Sequence, residues 1–349
     1  MDDHYTFAGW GRRECEAVGL VCKPTWCAFP FQEIQPLDIL SLGECMIEMF
    51  CEGSLSESPT FTKTFAGDTM NMLVAASRLG AKTGYITHVG NDPFKQFLLN
   101  SWAAEGIDLT CVTPLERTNG LYFISLLPGG EREFTYYRTG SAASCLAPED
   151  IDPAYIARAK FVYASGISQA ISTSSRSAVK KAFQVAHERG VKVAFDTNLR
   201  LRLWTLDDAK AALEDVLPTI DILLPSAPEE ITQLFGTDDA EAVIRQMWDR
   251  GVSIVAVKRG AEGVLLGADG VITEIPAHRP DRVVDTSGAG DAFNGGFLYG
   301  LSTGLSAIDA AHLGTVIAGL KVRGRGAVFS LPHRDEVFEI LKREENSRQ

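Results

Sequence analysis

The chain has 349 residues and a formal net charge of −12, and 45% of its residues are apolar. This composition is typical of a globular protein with a substantial core, in one large domain or two ordinary ones. The acidic balance argues against nucleic acid or an anionic membrane as the main partner, because both would be repelled. The sequence lacks an apolar run long enough for a membrane span and a start typical of a secretory signal. Its seven cysteines contain no Cys-x-x-Cys pair. We therefore expect a cytoplasmic protein with reduced thiols.

The first residues differ from the rest of the chain. Residues 1–36 are rich in Cys, Trp, Gly and Pro and show no helical or strand period. We interpret them as an appended, poorly ordered extension. Order is predicted to begin with the buried-strand pattern Leu37–Gly43, in a domain that covers residues 37–344, and residues 345–349 are predicted to form a tail.

Strand patterns and helix patterns alternate over most of this domain. Asp68 can cap a helix that ends near Leu79, before Gly80. Further helices are predicted at 93–105 and 174–189, and strands at 85–90, 161–164, 191–195, 222–224 and 254–257. Such alternation predicts an α/β fold with a doubly wound, mostly parallel sheet.

Two regions break the alternation. Residues 47–65 and 120–138 are both rich in strand patterns, and the second contains the turn signal Pro128–Gly130. Antiparallel strands inserted into an α/β core would form a small β-sheet lid over an active site.

The strongest signal for chemistry lies near the C-terminus. A short apolar strand at Arg282–Val284 is predicted to run into a glycine-rich turn and then a helix. Helix N-termini expose unpaired N–H groups, and Gly288 and Gly290 let the backbone approach a phosphate. An aspartate beside such a cradle, Asp291, could accept the proton of an alcohol that attacks the terminal phosphate of a nucleotide. The alternative without a catalytic role is a structural glycine turn followed by an aspartate that caps the helix.

Other nucleotide folds fit this segment poorly. In the dinucleotide motif Gly-x-Gly-x-x-Gly the third glycine is missing, because Phe293 takes its place. Too little chain follows Asp291 for a second mononucleotide-binding half, and no Gly-Lys-Ser or Gly-Lys-Thr loop occurs. An NAD(P)-linked oxidoreductase is therefore a weaker alternative, which a test for cofactor turnover would decide.

Three segments together resemble a known family. Asp285–Asp291 is similar to the C-terminal signature of the ribokinase-like (PfkB) sugar kinases, and Ala66–Gly80 and Val89–Asp92 resemble the first signature of that family. The resemblance covers about Leu37–Leu341. It implies a ribokinase-like α/β domain with a β-sheet lid that often mediates dimer contact, so a homo-oligomer formed through the lid is expected.

The resemblance also implies roles for individual residues. Asp291 matches the catalytic base, and the backbone of Gly288, Ala289 and Gly290 matches the anion hole. The resemblance implies ATP and Mg²⁺, and it also allows a monovalent cation. The Asn-x-x-Glu motif of the family, which orders Mg²⁺ through water, falls on Ser226–Glu229, so Glu229 is the matching half and serine replaces the asparagine. The implied ATP-binding residues are Asn198, Arg200, Ser226, Lys258, Gly260, Gly263, Gly288 and Gly290.

Within the family, three segments resemble the 2-keto-3-deoxygluconate kinases: Gly67–Asn71, Tyr136–Ala143 and Asp196–Trp204. Their substrate carries a carboxylate, which the planar guanidinium of an arginine such as Arg138 can bind with two hydrogen bonds. The implied substrate-binding residues are Gly67, Asp68, Asn71, Tyr122, Tyr136, Arg138 and Asp291. The predicted reaction phosphorylates the 6-hydroxyl group and gives 2-keto-3-deoxy-6-phosphogluconate.

Two alternatives stay open. Fructokinases share a segment similar to Asp196–Trp204, and some relatives have an acidic residue at the position of Arg325. A fructokinase or another PfkB sugar kinase is therefore the second candidate. A non-catalytic sugar-binding regulator on the same fold is a candidate of a different class, although a binding protein has no need of Asp291.

Overall fold

The computed structural model describes residues 35–126 and 132–348. Almost all of the predicted extension 1–36 and the predicted turn at Pro128–Gly130 therefore lie outside the described residues. Within those ranges, no helix combines the length and apolar character that a membrane span requires.

Parallel strands form the centre of the main sheet. The nine strands are β1 (Leu37–Leu42), β4 (Thr83–Gly90), β5 (Asp108–Leu115), β8 (Ala159–Ser165), β9 (Lys192–Asp196), β10 (Ile222–Leu223), β11 (Ile254–Lys258), β12 (Val264–Ala268) and β13 (Val271–Ile275). Their order is β13-β12-β11-β10-β9-β8-β1-β4-β5. All pairs from β11 to β5 are parallel, and β12 and β13 add an antiparallel edge. The predicted α/β class and mostly parallel sheet are confirmed.

Helices cover both faces of this sheet. They are α1 (Asp68–Leu79), α2 (Lys95–Ala104), α3 (Pro153–Ile156), α4 (Gly166–Ala170), α5 (Thr173–Glu188), α6 (Leu206–Val216), α7 (Glu229–Phe235), α8 (Ala240–Asp249), α9 (Ala289–Ser302), α10 (Ala307–Lys321) and α11 (Arg334–Arg348). One core cluster joins α1, α2, α9 and α10 to the sheet, and a second joins α5, α6 and α8 to its other face. Parallel strands covered on both faces are typical of a doubly wound fold.

Helix α9 lies deep in the first layer, between α1 and α10. Adjacent glycines make this close packing possible. A Cβ atom on Gly295 would lie 2.5 Å from the carbonyl oxygen of Met72 in α1, and one on Gly296 would lie 2.4 Å from Ile317 in α10. The middle of α9 is therefore held between two neighbouring helices, and this restricts how far its first turn can move.

A second sheet of four strands is the lid. It contains β2 (Met46–Glu52), β3 (Thr62–Ala66), β6 (Leu121–Leu126) and β7 (Arg132–Tyr137), in the order β3-β2-β6-β7. The outer pairs are antiparallel, but the central pair β2–β6 is parallel. The predicted small β-sheet lid is confirmed, and only its central pair departs from the antiparallel arrangement expected from the sequence. A parallel pair needs a crossover connection, which the long chain between β2 and β6 supplies.

Three local predictions need correction. Arg282–Val284 forms no strand, since the amide of Val284 bonds to the carbonyl of Val322 at the end of α10 rather than to a strand. Residues 345–348, predicted as a tail, continue α11. Asp68 is the first helical residue of α1 and does not cap it, because its N-cap is Gly67 and no side chain caps the helix.

The close packing of α9 leads to a stability prediction. Gly295→Ala should lower the free energy of unfolding by about 1–3 kcal/mol, because the added methyl group meets backbone atoms that cannot yield. Denaturant unfolding measures this change. Gly106→Ala is the control, since its Cβ would meet nothing within 4 Å and only its positive φ opposes the change. An effect of Gly295→Ala no larger than that of the control would contradict the packing argument.

Candidate active site

Asp291 lies in the first turn of α9 and lines a cavity of about 780 Å³. The residue before the helix, Gly288, has a φ of 74°, a left-handed conformation that favours glycine. The first N–H groups of a helix have no partner within it and carry partial positive charge. The amide of Ala289 donates to the carbonyl of Thr286 at 3.1 Å. An acidic side chain and a turn suited to anions therefore face the same space.

The carboxyl group of Asp291 is almost fully buried. Asn71 donates to its Oδ2 atom at 2.8 Å. Burial, followed by the negative charge of Asp68, raises the pKa of Asp291 to about 7, and the charge of Lys258 acts in the opposite direction. A carboxyl group with this pKa can accept a proton near neutral pH.

Asp68 provides a second buried carboxylate in the same cavity. Its Oδ2 atom accepts hydrogen bonds from Ser165 Oγ and from Asn198 Nδ2, the latter at 2.9 Å. Burial raises the pKa of Asp68, whereas the hydrogen bond from Ser165 opposes the rise. Asn198, predicted to bind ATP, thus contacts a residue predicted to bind the sugar.

Asp196 is a third buried carboxylate, which sequence reasoning did not assign to the site. It ends β9 and accepts from Lys258 Nζ at 2.7 Å and from Asn294 Nδ2 at 2.6 Å. Asn294 belongs to α9, so Asp196 connects the sheet to the helix that carries Asp291. An acidic residue at the C-terminal end of a buried parallel strand was a usable signal, because ligands bind at that edge of such sheets.

The lid contributes two tyrosines to the cavity. The rings of Tyr122 and Tyr136 stack with their centroids 5.3 Å apart. The hydroxyl of Tyr122 donates to Glu48, and burial raises the pKa of Glu48 to about 7. The lid therefore offers both an aromatic surface and polar atoms to a ligand.

Arg138 reaches the cavity from the end of the lid. Its Nη2 atom lies 2.5 Å from Oε2 of Glu44, and Ser141 donates to Oε1 of Glu44 at 2.8 Å. Burial raises the pKa of Glu44, although Arg138 opposes this. Sequence reasoning missed Glu44, which follows the first buried strand directly. Gly67 has to lack a side chain here, because its Cβ would lie 2.1 Å from the carbonyl oxygen of Glu44.

A second cavity, of about 430 Å³, meets the first at the N-terminus of α9. It is mainly apolar, and the residues lining both cavities are Lys258, Thr286, Ala289 and Gly290. Gly260 and Gly263, predicted to bind ATP, line only this second cavity. A nucleotide with its base in the apolar cavity would have its phosphates at the junction.

The remaining predicted ATP residues line the first cavity instead. Arg200 is exposed near the lid, where its positive charge, with that of Arg138, acts to lower the pKa of Tyr136 against the larger effect of burial. Ser226 follows β10, and its amide donates to Glu230 at 2.9 Å. Glu229 is an exposed carboxylate on the rim.

The acidic residues fit a weakly held magnesium ion. Within the described part of the chain, no three His, Cys, Asp or Glu residues are grouped as a metal site. Mg²⁺ keeps several water ligands and is commonly bound by one or two carboxylates together with substrate phosphates. Glu229 is an exposed carboxylate that lines the first cavity and so fits such a contact through water, whereas a protein-only metal cage is absent from these ranges.

Asp285 organises the loop before α9. Its carboxylate accepts from the amides of Ser287 at 2.8 Å and Gly326 at 2.9 Å, and from the lid residue Arg132. Lys321 donates to its carbonyl oxygen at 2.9 Å. Burial alone would raise the pKa of Asp285, but Lys321 and the amides hold it below its usual value. Nothing in the sequence marks Arg132 as a partner of Asp285. Lys321 could have been noticed, because a lysine at the end of an apolar helix is unusual.

Arg325, where some relatives carry an acidic residue, contacts the lid. It forms an exposed ion pair with Glu52 in β2 and lies outside the lining of the first cavity. The unusual basic residue is therefore matched by an acidic residue opposite it.

Comparison with known proteins identifies the family. The model of the pfkB family carbohydrate kinases matches residues 37–334. A 2-dehydro-3-deoxygluconokinase of Dickeya dadantii is 34% identical over 307 residues, which are 84% of this chain and 97% of that protein. A crystal structure of a PfkB protein from Polaromonas has 32% identity and a TM-score of 0.80, and it covers 87% of this chain and 99% of that one.

An Escherichia coli structure assigned to ribokinase II, in complex with ATP and Mg²⁺, has 26% identity and a TM-score of 0.80. It covers 88% of this chain and 99% of that one. The predicted ribokinase-like fold and sugar-kinase family are both confirmed. The chain belongs to the pfkB family of carbohydrate kinases, and it is an ATP-dependent sugar kinase.

Proposed function

We propose that the protein phosphorylates the 6-hydroxyl group of 2-keto-3-deoxygluconate, also called 2-dehydro-3-deoxygluconate, with Asp291 as the general base. The product is 2-keto-3-deoxy-6-phosphogluconate. The observation that carries the proposal is the burial of Asp291 in the first turn of α9, where it lines the first cavity directly after Ala289 and Gly290, which line both cavities. The Dickeya dadantii relative supports the choice of sugar.

The chemistry is an in-line phosphoryl transfer. The sugar oxygen forms a bond to the γ-phosphorus while the bond from that phosphorus to the bridging oxygen of ADP breaks, and ADP leaves with the electron pair. Asp291 accepts the hydroxyl proton, for which a pKa of about 7 is well matched. The amides of Gly288 and Gly290 stabilise the negative charge of the transferring group, whereas the amide of Ala289 donates to the carbonyl of Thr286.

ATP occupies the second cavity, with its phosphates at the N-terminus of α9. Lys258, Gly260 and Gly263 border the nucleotide. Glu229 would hold Mg²⁺ through water, and the ion would neutralise phosphate charge. Asn198, Arg200 and Ser226 are assigned to the rim between nucleotide and sugar. A monovalent cation beside the phosphates, which the family resemblance allows, has no residue assigned to it.

The acid sugar occupies the first cavity under the lid. Asp68 accepts hydrogen bonds from its hydroxyl groups and Asn71 donates to them. The backbone of Gly67 borders the sugar, and Tyr122 and Tyr136 cover it. The carboxylate lies against Arg138, with Arg200 close enough to add a second positive charge. Because Glu44 already pairs with Arg138, carboxylate binding depends on the remaining guanidinium donors.

A neutral-sugar kinase, such as a fructokinase, is the second candidate, and the ion pair between Arg138 and Glu44 is the observation that favours it. An arginine already neutralised attracts an anion less strongly than a free one. A panel of 2-keto-3-deoxygluconate, fructose and ribose, scored by ADP release, separates the candidates. A non-catalytic regulator would release no ADP with any of these sugars.

The lid also has an outer face suited to a second copy of the chain. Phe61, Phe123 and Tyr137 form edge-to-face aromatic pairs there, with centroids 5.5 and 6.0 Å apart, and Tyr137 is 61% exposed. Exposed aromatic clusters commonly mark protein interfaces. We assign this face to the homo-oligomer.

Replacing the base tests its role. Asp291→Asn should lower kcat by several orders of magnitude with little change in ATP affinity, because the amide cannot accept the proton. Steady-state kinetics and nucleotide titration measure both. Asp309→Asn is a matched control, since Asp309 lies exposed in the first turn of α10. Near-normal turnover of Asp291→Asn would remove Asp291 from the mechanism.

The same variant has a second, pH-dependent effect. Burial raises the pKa of Asp291 from its ordinary value of 3.8 to about 7, so its contribution to stability is fully present only below about pH 4 and is lost progressively as the pH rises to about 7. The melting temperature of Asp291→Asn relative to that of the wild type should therefore be a few degrees higher near pH 8 than near pH 5. If the difference in melting temperature between variant and wild type is the same at pH 5 and pH 8, the pKa of the Asp291 carboxyl group is not raised by the fold.

Replacing Arg138 tests whether this residue binds the carboxylate of the sugar. Arg138→Ala should lower kcat/KM for the acid sugar by about 10- to 100-fold, as expected for a lost charge-assisted hydrogen bond, and affect fructose or ribose far less. The double variant Glu44→Gln with Arg138→Ala is the control, because it leaves no unpaired buried carboxylate. Equal losses for acid and neutral sugars would contradict carboxylate binding.

The oligomer is tested on its aromatic face. Tyr137→Glu should shift the sedimentation coefficient from dimer towards monomer, because a charge would be buried in the interface. Val271→Glu is the control, as Val271 is similarly exposed, at 60%, on the edge strand β13. A wild-type protein that sediments as a monomer, or a dimer indifferent to Tyr137→Glu, would contradict the assignment.

A further inference from the structure

Lys321 is a fully buried lysine that the proposed mechanism does not use. It is the last residue of α10, its exposed fraction is 0%, and its Nζ atom donates to the carbonyl oxygen of Asp285 at 2.9 Å. A buried ammonium group is costly unless nearby groups compensate it. Burial lowers the pKa of Lys321, while the charges of Asp285 and Asp291 oppose this. Lys321 thus lies within electrostatic reach of the proposed base.

The contact lies directly beneath the loop proposed to hold the phosphates. Asp285 starts that loop, and its carboxylate fixes the amides of Ser287 and Gly326. The amides of Val284 and Asp285 both bond to the carbonyl of Val322, the residue after Lys321. The end of α10 therefore supports the loop through hydrogen bonds of the main chain and through the ammonium group.

Lys321 differs from the other nearby cations. Arg132 also contacts Asp285, but it belongs to the lid, and Lys258 is paired with the carboxylate of Asp196. Lys321 instead belongs to the helical layer packed against α9. Its position relative to the loop is therefore fixed by the core rather than by the lid.

We propose that Lys321 is a positioning residue that supplies a built-in monovalent cation beneath the phosphate loop, so that the kinase needs no dissolved monovalent cation. This inference rests on the proposed phosphoryl transfer at Asp291, but not on the identity of the sugar. Ammonium and potassium ions are both bound by carbonyl oxygens, so a tethered ammonium can take the place of a bound ion. The fixed positive charge of Lys321 would stabilise the negative charge that develops on the phosphoryl group during its transfer.

The test compares variants in buffers of defined cation content. Lys321→Met removes the charge and keeps most of the volume, whereas Lys321→Ala also opens a space for an added cation. Lys160→Met is the matched control: Lys160 donates to the carbonyl of Ser302 at 2.8 Å, at the opposite end of α9, but its side chain is 55% exposed. The readouts are kcat and sugar KM with the best sugar of the panel, in chloride salts of tetramethylammonium, potassium and methylammonium.

The wild type should have the same kcat in tetramethylammonium and potassium salts, within about two-fold. Lys321→Met should lower kcat by about 10- to 100-fold, less than a direct contact would, and leave KM for the sugar nearly unchanged. Methylammonium or potassium should restore much of the activity of Lys321→Ala, and tetramethylammonium should not. A purely structural lysine would show no such rescue.

Three results would overturn the proposal: strong dependence of the wild type on potassium, a normal kcat for Lys321→Met, or a folded Lys321→Ala that no small cation rescues. If neither Lys321→Met nor Lys321→Ala folds cooperatively, the effect of potassium on kcat of the wild type alone decides whether the proposal stands. A failure of 2-keto-3-deoxygluconate in the sugar panel would count against the proposed function, whereas the ratio of variant to wild-type kcat on the best sugar tests Lys321.

Discussion

The first turn of α9 has to accommodate a carboxylate and, as proposed, a nucleotide phosphate side by side. Two negative groups repel strongly in a buried site, where the effective dielectric constant is low. The residues around Asp291 reduce this repulsion in different ways: Asn71 binds its carboxylate, Lys258 offsets the neighbouring charge of Asp196, and Lys321 lies under the loop. The helix itself adds partial positive charge at the same point.

The balance depends on a rigid frame. Gly295 and Gly296 let α9 pack closely against α1 and α10, so the first turn cannot shift without disturbing two other helices. Because Asn71 lies on α1 and Lys321 on α10, the helices that hold α9 also carry its polar partners. The packing of the core and the electrostatics of the site are thus settled by the same three helices.

The sequence predicts the fold class, most strands and helices, the family and the position of Asp291. These features are local, since periodicity, glycine turns and short motifs stand in consecutive residues. The pairing of Arg138 with Glu44 and of Arg132 with Asp285 could not be predicted, because each joins residues far apart along the chain. The false strand at Arg282–Val284 arose because an apolar run resembles a buried strand, whereas the amide of Val284 bonds to the carbonyl of Val322 at the end of α10. Asp68 was predicted to cap α1 because an aspartate before an apolar helix is a common cap. Its carboxylate instead binds Ser165 and Asn198, which lie far away along the chain and could not be identified from the sequence.

The parallel pairing of β2 with β6 has a consequence for the order of folding. Ile47 pairs with Leu121, and the chain between them forms β3, α1, β4, α2 and β5. Contacts between distant segments carry a large cost in loop closure, and they form slowly unless the intervening chain is already ordered. The lid is therefore expected to assemble late, after the first half of the main sheet. A nascent or partly unfolded chain would then lack Tyr122 and Tyr136 over the cavity, and it could not enclose a sugar before the first half of the main sheet had formed.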